Sequence, residues 1–234
     1  MRLSGIEFDR DATILLLSAP VLLSIYYYHG SAESFFRYFN WAPEGVGPVY
    51  WRFFVFFLLL GIIPLSIIFW VFRDKPYSFG LALGDWRKGL SLALILIPLL
   101  ILPLAWGASQ VPEVQTEYPL AKVLFSQGPL FWQYSLAYIF FYYLVWEFYF
   151  RGFLLFGLAK IYGPAAAILI QTISSCLVHL GKPEGETLGS VAAGLLFGLL
   201  ALRTGSIWYG WLIHFSLGVM TDFFILRNAG VSLF

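Results

Sequence analysis

The stretch that decides the fold is residues 53–72, FFVFFLLLGIIPLSIIFWVF, which contains no charged side chain. At 1.5 Å per residue, an α-helix of about 20 residues is about 30 Å long, which matches the hydrocarbon core of a bilayer. A helix that is apolar on every face has no side suited to water. The stretch therefore predicts a helix that crosses a membrane.

The rest of the chain repeats this pattern. Hydrophobic residues make up 60% of the 234 residues and charged residues 12%, against about half and a quarter in ordinary soluble domains. Hydropathy predicts seven spans, near residues 12–28, 49–72, 90–106, 130–158, 162–180, 187–202 and 204–226. The expected fold is an all-α, polytopic membrane helix bundle of about seven transmembrane helices, forming a single integral membrane domain over residues 1–234.

Charge and cysteine content exclude several classes of protein. The formal net charge is +1, and the basic residues are scattered singly, so no basic stripe is present to bind nucleic acid. The single cysteine, Cys176, excludes an internal disulfide and a multi-thiolate metal cluster. Membrane lipid is the expected partner, and no cofactor is expected.

Basic residues in the loops predict the orientation. The loop after the second span carries four of them, Arg73, Lys75, Arg87 and Lys88. The loop after the third span carries Glu113 and Glu117 against Lys122 alone. By the positive-inside rule the amino terminus lies inside, on a retained first helix, and the expected location is the cytoplasmic membrane of a prokaryote.

A further segment, residues 31–48, lies between the first two spans. Phe35, Phe36 and Phe39 fall on one helical face there. This pattern predicts an aromatic helix that lies in the membrane interface.

Four ionisable side chains lie within the predicted spans and indicate a functional site, because placing such groups in lipid costs free energy. Glu147 and Arg151 are four residues apart and share a helical face, which suits an ion pair. Counted from a predicted turn at residues 161–164, Glu147 rises about 20 Å and His179 about 24 Å, and His214 rises about 15 Å from Thr204. A carboxylate, an arginine and two imidazoles at similar depth suit a buried hydrolytic site, although an ion pair and packed histidines could also be purely structural.

The residues that carry these groups resemble a known family. Glu147-Phe-Tyr-Phe-Arg151-Gly152, then His179, then Thr204-Gly205-Ser206-Ile207-Trp208 before His214, look like the CPBP family of CAAX prenyl proteases and bacteriocin-processing enzymes. The resemblance covers residues 130–222 as a catalytic core. It implies that a glutamate and the first histidine activate water, while the last histidine and an asparagine four residues later hold the oxyanion.

Two positions depart from the family pattern. Trp146 stands where the family has the first glutamate of Glu-Glu-x-x-x-Arg, and Gly218 stands where it has the asparagine. Glu147 could reach the water after a small helix rotation, or Glu184 or Glu186 could fold back, and the first is favoured. Trp146, Gly218 and Asp222 are candidate substrate-binding residues, because Gly218 leaves space one turn after His214 and Asp222 follows on that face. Close helix packing at Gly218 is an equal explanation.

The resulting hypothesis is an intramembrane endopeptidase acting on a membrane-associated peptide or protein. Glu147 and His179 would activate water, His214 would support the oxyanion, and Arg151 would fix Glu147. The alternatives are a metal site on His179, His214 and Glu147, a Cys176 thiolate nucleophile, and an inactive membrane scaffold or immunity-type binding protein on the same fold.

Overall fold

The computed structural model describes residues 2–3, 6–41 and 45–234. In this part of the chain six helices are long and apolar enough to cross a membrane. They are α1 (Arg10–His29), α3 (Gly47–Phe72), α4 (Trp86–Ala108), α6 (Gly128–Leu177), α7 (Glu184–Thr204) and α8 (Trp208–Asn228). The short helices α2 (Ala32–Tyr38) and α5 (Pro112–Glu117) lie between them. Strands β1 (Arg2–Leu3) and β2 (Ile6–Glu7) form an antiparallel pair before α1.

Helix α6 is two antiparallel arms rather than one rod. Gly163 has φ 81° and ψ 165°, which reverses the chain, and Pro164 begins the second arm. Trp146 and His179 lie at nearly equal distances along the chain from Gly163, and their rings are 5.1 Å apart. The break lies within the predicted turn at residues 161–164, so the predicted spans near 130–158 and 162–180 are the two arms of α6.

The second arm is short. Its helical residues, 164–177, rise about 21 Å, against about 30 Å for a full bilayer crossing. The chain therefore turns between Val178 and Pro183, below the full height of a span, and returns as α7. This early turn places His179 inside the bundle.

The second arm of α6 packs closely on α7 through small and polar residues. The Gln171 amide donates to the carbonyl of Gly194 at 2.8 Å. A Cβ on Gly194 would lie 2.8 Å from the Thr172 side chain, and one on Gly198 would lie 3.1 Å from Gln171. Glycine on α7 thus permits the close approach that is common between helices in membranes.

The Thr204-Gly205-Ser206 turn aims α8 back into the bundle. Gly205 has φ 68°, the left-handed conformation that ends α7. The backbone N–H of Asp85 donates to the Thr204 carbonyl at 2.7 Å, and that of Ile207 donates to the Gly80 carbonyl at 2.9 Å. These bonds attach the turn to the loop before α4 and set the direction in which α8 carries His214.

Among the described residues of the predicted interfacial segment, Ala32–Tyr38 form α2 and residues 47–48 begin α3. Phe36 and Trp41 are exposed, whereas Phe39 packs against the Trp51 ring at 5.5 Å. The three phenylalanines therefore do not share one outward face, and residues 42–44 of the predicted segment lie outside the described residues.

The outer surface of the bundle is apolar. Large hydrophobic side chains are exposed on α1, α3, α4, both arms of α6 and α7, for example Leu17, Trp70, Leu99, Leu136, Leu169 and Leu196. Such a surface is stable only against lipid. The chain is an integral, multi-pass membrane protein, as its composition predicts.

Candidate active site

A cavity of about 840 Å³ opens between the end of α4, the arms of α6 and the helices α7 and α8. Five of the seven predicted site residues line it: Trp146, Arg151, His179, His214 and Gly218. Glu147 and Asp222 lie behind the lining. Two imidazoles and a guanidinium thus face one internal space, and the predicted carboxylates stand outside it.

Glu147 contacts both the His214 ring and the Arg151 guanidinium. Its Oε1 accepts from Nδ1 of His214 at 2.7 Å and lies 3.3 Å from Nη1 of Arg151. Glu147 is 0% exposed and Arg151 is 2% exposed. A Cβ on Gly210 would lie 3.0 Å from Oε2 of Glu147, so this glycine lets the α8 backbone approach the carboxylate. The predicted ion pair between Glu147 and Arg151 is confirmed, and its carboxylate also binds His214.

Arg151 is held on a second side by an aromatic ring. Its guanidinium carbon lies 5.4 Å from the centroid of the Phe197 ring, within the range of a cation–π contact. The same Phe197 ring lies 5.6 Å from the His214 ring. Phe197 on α7 therefore packs against both polar groups of the cavity wall.

His179 lies two residues beyond the end of α6, and its tautomer follows from its hydrogen bond. The carbonyl of Ser175 can only accept, so Nδ1–H of His179 donates to it at 2.8 Å. Burial lowers the pKa of His179 to about 4. At neutral pH the ring is therefore neutral, and its Nε2 is a proton acceptor on the cavity side.

The carboxylate that faces His179 across the cavity belongs to Glu186. Its Oε1 lies 4.0 Å from Nε2 of His179 and accepts from the hydroxyl of Tyr118 at 2.7 Å. Tyr118 and Lys182 also line the site, and Lys182 forms an ion pair with Glu117. Sequence reasoning named Glu186 only as an alternative and missed Tyr118, which a long loop carries to the site.

Trp146 contacts both imidazoles. Its indole packs edge-to-face at 5.1 Å from the His179 ring and 6.0 Å from the His214 ring, and it stacks at 5.8 Å on Phe56. The side chain is 3% exposed. Trp146 thus supplies an apolar wall of the cavity beside both histidines, and its role in substrate binding stays a prediction.

Gly218 makes room for a hydroxyl. A Cβ built on Gly218 would lie 1.6 Å from Oη of Tyr143. The Tyr143 ring packs edge-to-face on His214 at 4.9 Å and also lines the cavity. Sequence reasoning missed Tyr143, although its position four residues before Glu147 places it on the same helical face.

Asp222, a candidate substrate-binding residue, bonds to α6 and does not line the cavity. Its carboxylate accepts from the Tyr134 hydroxyl at 3.0 Å, and the residue is 1% exposed. This bond turns the side chain toward α6 and away from the cavity.

The structure also bears on the two chemical alternatives, the Cys176 nucleophile and the metal site. Cys176 donates weakly to the Thr187 carbonyl at 3.7 Å and lies outside the cavity lining. Among the described residues, no group of three histidine, cysteine, aspartate or glutamate side chains has the geometry to hold a metal ion.

One comparison with known proteins gives a match. Residues 127–220 match the family model described as type II CAAX prenyl endopeptidase Rce1-like. No curated protein and no solved structure matches the chain. The matched residues contain Glu147, Arg151, His179 and His214, and they agree with the predicted resemblance over residues 130–222. Over this segment, which is less than half of the chain, the protein is similar to the type II CAAX prenyl endopeptidase Rce1-like family.

Proposed function

We propose that this protein is an intramembrane endopeptidase that hydrolyses a peptide bond in a membrane-associated peptide or protein. The observation that carries the proposal is the pair of imidazoles in one cavity. Nε2 of His179 is free to accept a proton there, and His214 is anchored from behind by Glu147. A neutral imidazole and a second, anchored imidazole suit a base and an oxyanion donor.

The chemistry follows from these two rings. A water in the cavity gives a proton to Nε2 of His179 while its oxygen attacks the carbonyl carbon of the scissile bond. The carbonyl oxygen becomes an oxyanion. A doubly protonated His214, balanced by the Glu147 carboxylate, donates through Nε2–H to that oxygen. The proton on His179 then passes to the leaving nitrogen, and the products are a carboxylic acid and an amine.

In this proposal Glu147 is a positioning residue. Its carboxylate is fully buried and bonded to Nδ1 of His214, which fixes the direction of the ring. Arg151 balances its charge at 3.3 Å. The sequence hypothesis gave Glu147 direct contact with water, but the geometry supports a role through His214.

The proposal predicts cleavage without an added metal. The purified chain in proteoliposomes is incubated with membrane-anchored peptides that carry prenylated or unmodified carboxyl-terminal tails, and products are identified by mass spectrometry. We expect a single new amino terminus, and an unchanged rate after treatment with EDTA, because the donor set of the cavity suits proton transfer rather than a closed metal site.

Each contrary outcome selects an alternative. Loss of cleavage in EDTA, with recovery on adding Zn²⁺, would support the metal site. Binding of the peptides without cleavage of any of them would support the inactive scaffold or immunity-type binding protein.

A further inference from the structure

We propose that Glu186 supplies the carboxylate that works with His179 on the attacking water, in place of the glutamate missing at Trp146. The inference rests on the proposed function and deepens it. It assigns a catalytic residue that lies outside the Glu147-to-Gly152 motif, on the first turn of another helix, α7.

The two acceptors are separated by the space of one water molecule. Nε2 of His179 and Oε1 of Glu186 are 4.0 Å apart. This separation is too long for a direct hydrogen bond but fits one bridging water, since two bonds of about 2.8 Å enclose an angle of about 90° at the water oxygen. Both water protons then point at acceptors, and the oxygen lone pairs face the cavity. This is the orientation that a nucleophilic water needs.

Glu186 is also held in place by a hydrogen bond. The Tyr118 hydroxyl donates to the same Oε1 at 2.7 Å. Burial raises the pKa of Tyr118 well above its usual value, so this hydroxyl keeps its proton and remains a donor. The Lys182–Glu117 ion pair connects the end of α5 to the turn before α7. The bond from Tyr118 therefore fixes Oε1 of Glu186 at its place beside His179.

The competing carboxylates are either engaged with other groups or exposed. Glu147 is fully buried and engaged with His214 and Arg151. Glu184 is exposed at the start of α7. Among these glutamates only Glu186 combines proximity to His179 with a fixing hydrogen bond.

The test is Glu186→Gln, which keeps an oxygen to accept from Tyr118 but removes the negative charge. We expect kcat to fall about 10²–10⁴-fold, because one member of the proton-accepting pair is lost, with a much smaller change in KM. Glu33→Gln is the matched control, since it makes the same change on α2, outside the cavity lining, and it should cleave at the wild-type rate. Tyr118→Phe should have an intermediate effect, because it removes only the orienting bond.

The outcomes separate this inference from the proposed function. An active wild type whose Glu186→Gln variant is folded and equally active overturns the role of Glu186 and leaves the endopeptidase intact. An inert wild type overturns both. Circular dichroism and size-exclusion elution in detergent establish that each variant is folded.

A different observation carries a second inference. We infer that the Tyr143 hydroxyl is an oxyanion donor beside His214. Its Oη occupies the space where a side chain at position 218 would begin, because a Cβ on Gly218 would lie 1.6 Å away. Its ring lies 4.9 Å from that of His214, on the wall of the same cavity. A phenolic O–H is a hydrogen-bond donor at neutral pH.

This inference predicts an unusual pattern of variants. Tyr143→Phe should lower kcat about 10²–10³-fold, the cost of losing one oxyanion donor. Gly218→Asn alone should also be impaired, because the new side chain overlaps Tyr143. The double variant Tyr143→Ala with Gly218→Asn should be more active than Gly218→Asn or Tyr143→Ala alone. Removal of the Tyr143 ring gives the asparagine side chain space, and its amide N–H can then donate to the oxyanion.

The matched control is Tyr149→Phe, which removes a buried hydroxyl bonded to Ser18 from the same helix but away from the cavity. It should retain the wild-type rate. A folded Tyr143→Phe variant with wild-type kcat would overturn the inference, and so would a double variant no better than either single one.

Discussion

Replacing His179 by alanine is expected to slow peptide hydrolysis by about 10²–10⁴-fold, the usual contribution of a positioned general base. The reason is local. Nδ1–H of His179 is bonded to the Ser175 carbonyl, so Nε2 is the acceptor that faces Glu186 and the cavity. The measurement is the initial rate of cleavage in proteoliposomes, with binding of the intact peptide measured separately. Binding should change far less than the rate, because the imidazole acts on the water.

His179 and the facing Glu186 carboxylate together set the acid limit of activity. Burial holds the pKa of His179 at about 4, against the Ser175 hydrogen bond, which raises it. Three cationic or titratable neighbours, His214, Arg151 and Lys182, lower it further, and the Glu186 carboxylate faces the ring. We expect kcat/KM to stay high at pH 6, where a free histidine of pKa about 6.5 would already be largely protonated, and to fall at lower pH as the Glu186 carboxylate and the His179 ring become protonated.

Stability should follow the same titration. Because the folded pKa is lowered, the unfolded chain binds a proton that the folded chain does not between pH about 6.5 and the folded value. The contribution of neutral His179 is therefore fully present above pH about 6.5 and is lost as the pH falls toward the folded pKa. His179→Ala should remove this part of the pH dependence of unfolding.

His29 provides the matched control. It is a histidine on α1 whose ring contacts Tyr38, far from the cavity. His29→Ala should cleave at the wild-type rate and keep the acid limit. A His179→Ala protein that is folded and cleaves as well as the wild type would contradict the proposed mechanism.

The helical layout could be predicted from the sequence because its determinants are local. Residues 53–72 cannot be stable in water, and Gly163 with Pro164 breaks α6 where a turn is predicted. The Glu147–Arg151 pair also follows from spacing, since residues four apart share a helical face. Each of these features depends on a short segment and a known helical period.

The arrangement of the site could be predicted only in part, because it depends on how distant segments pack. The bond from His214 to Glu147 requires the α7–α8 turn to be attached to the loop before α4, which no spacing reveals. The approach of Glu186 to His179 depends on the early end of the second arm of α6 and on a bond from Tyr118. The helical face of Tyr143 could be predicted from the sequence. The position of its hydroxyl, in the space left by the missing side chain at Gly218, could not.

Replacing Glu147 by alanine should destabilise the protein by about 3–5 kcal/mol, the usual cost of removing one partner of a buried ion pair. The Arg151 guanidinium would remain in the bundle, 2% exposed, without its carboxylate. His214 would lose the acceptor of its Nδ1–H. Reversible unfolding in mixed micelles measures the loss, and Glu147→Gln should lose less, because an amide oxygen still accepts from His214.

A double variant separates the two roles of Glu147. Replacing Glu147 by leucine and Arg151 by methionine together removes both charges, and buried pairs replaced by apolar residues of similar volume are often neutral or stabilising. Stability should therefore recover. The value of kcat should stay low, because His214 still lacks its orienting acceptor and the Arg151 charge is gone from the cavity. If Glu147 and Arg151 served only to hold the helices together, the double variant would regain its rate along with its stability, and the assignment of Glu147 as a positioning residue would be wrong.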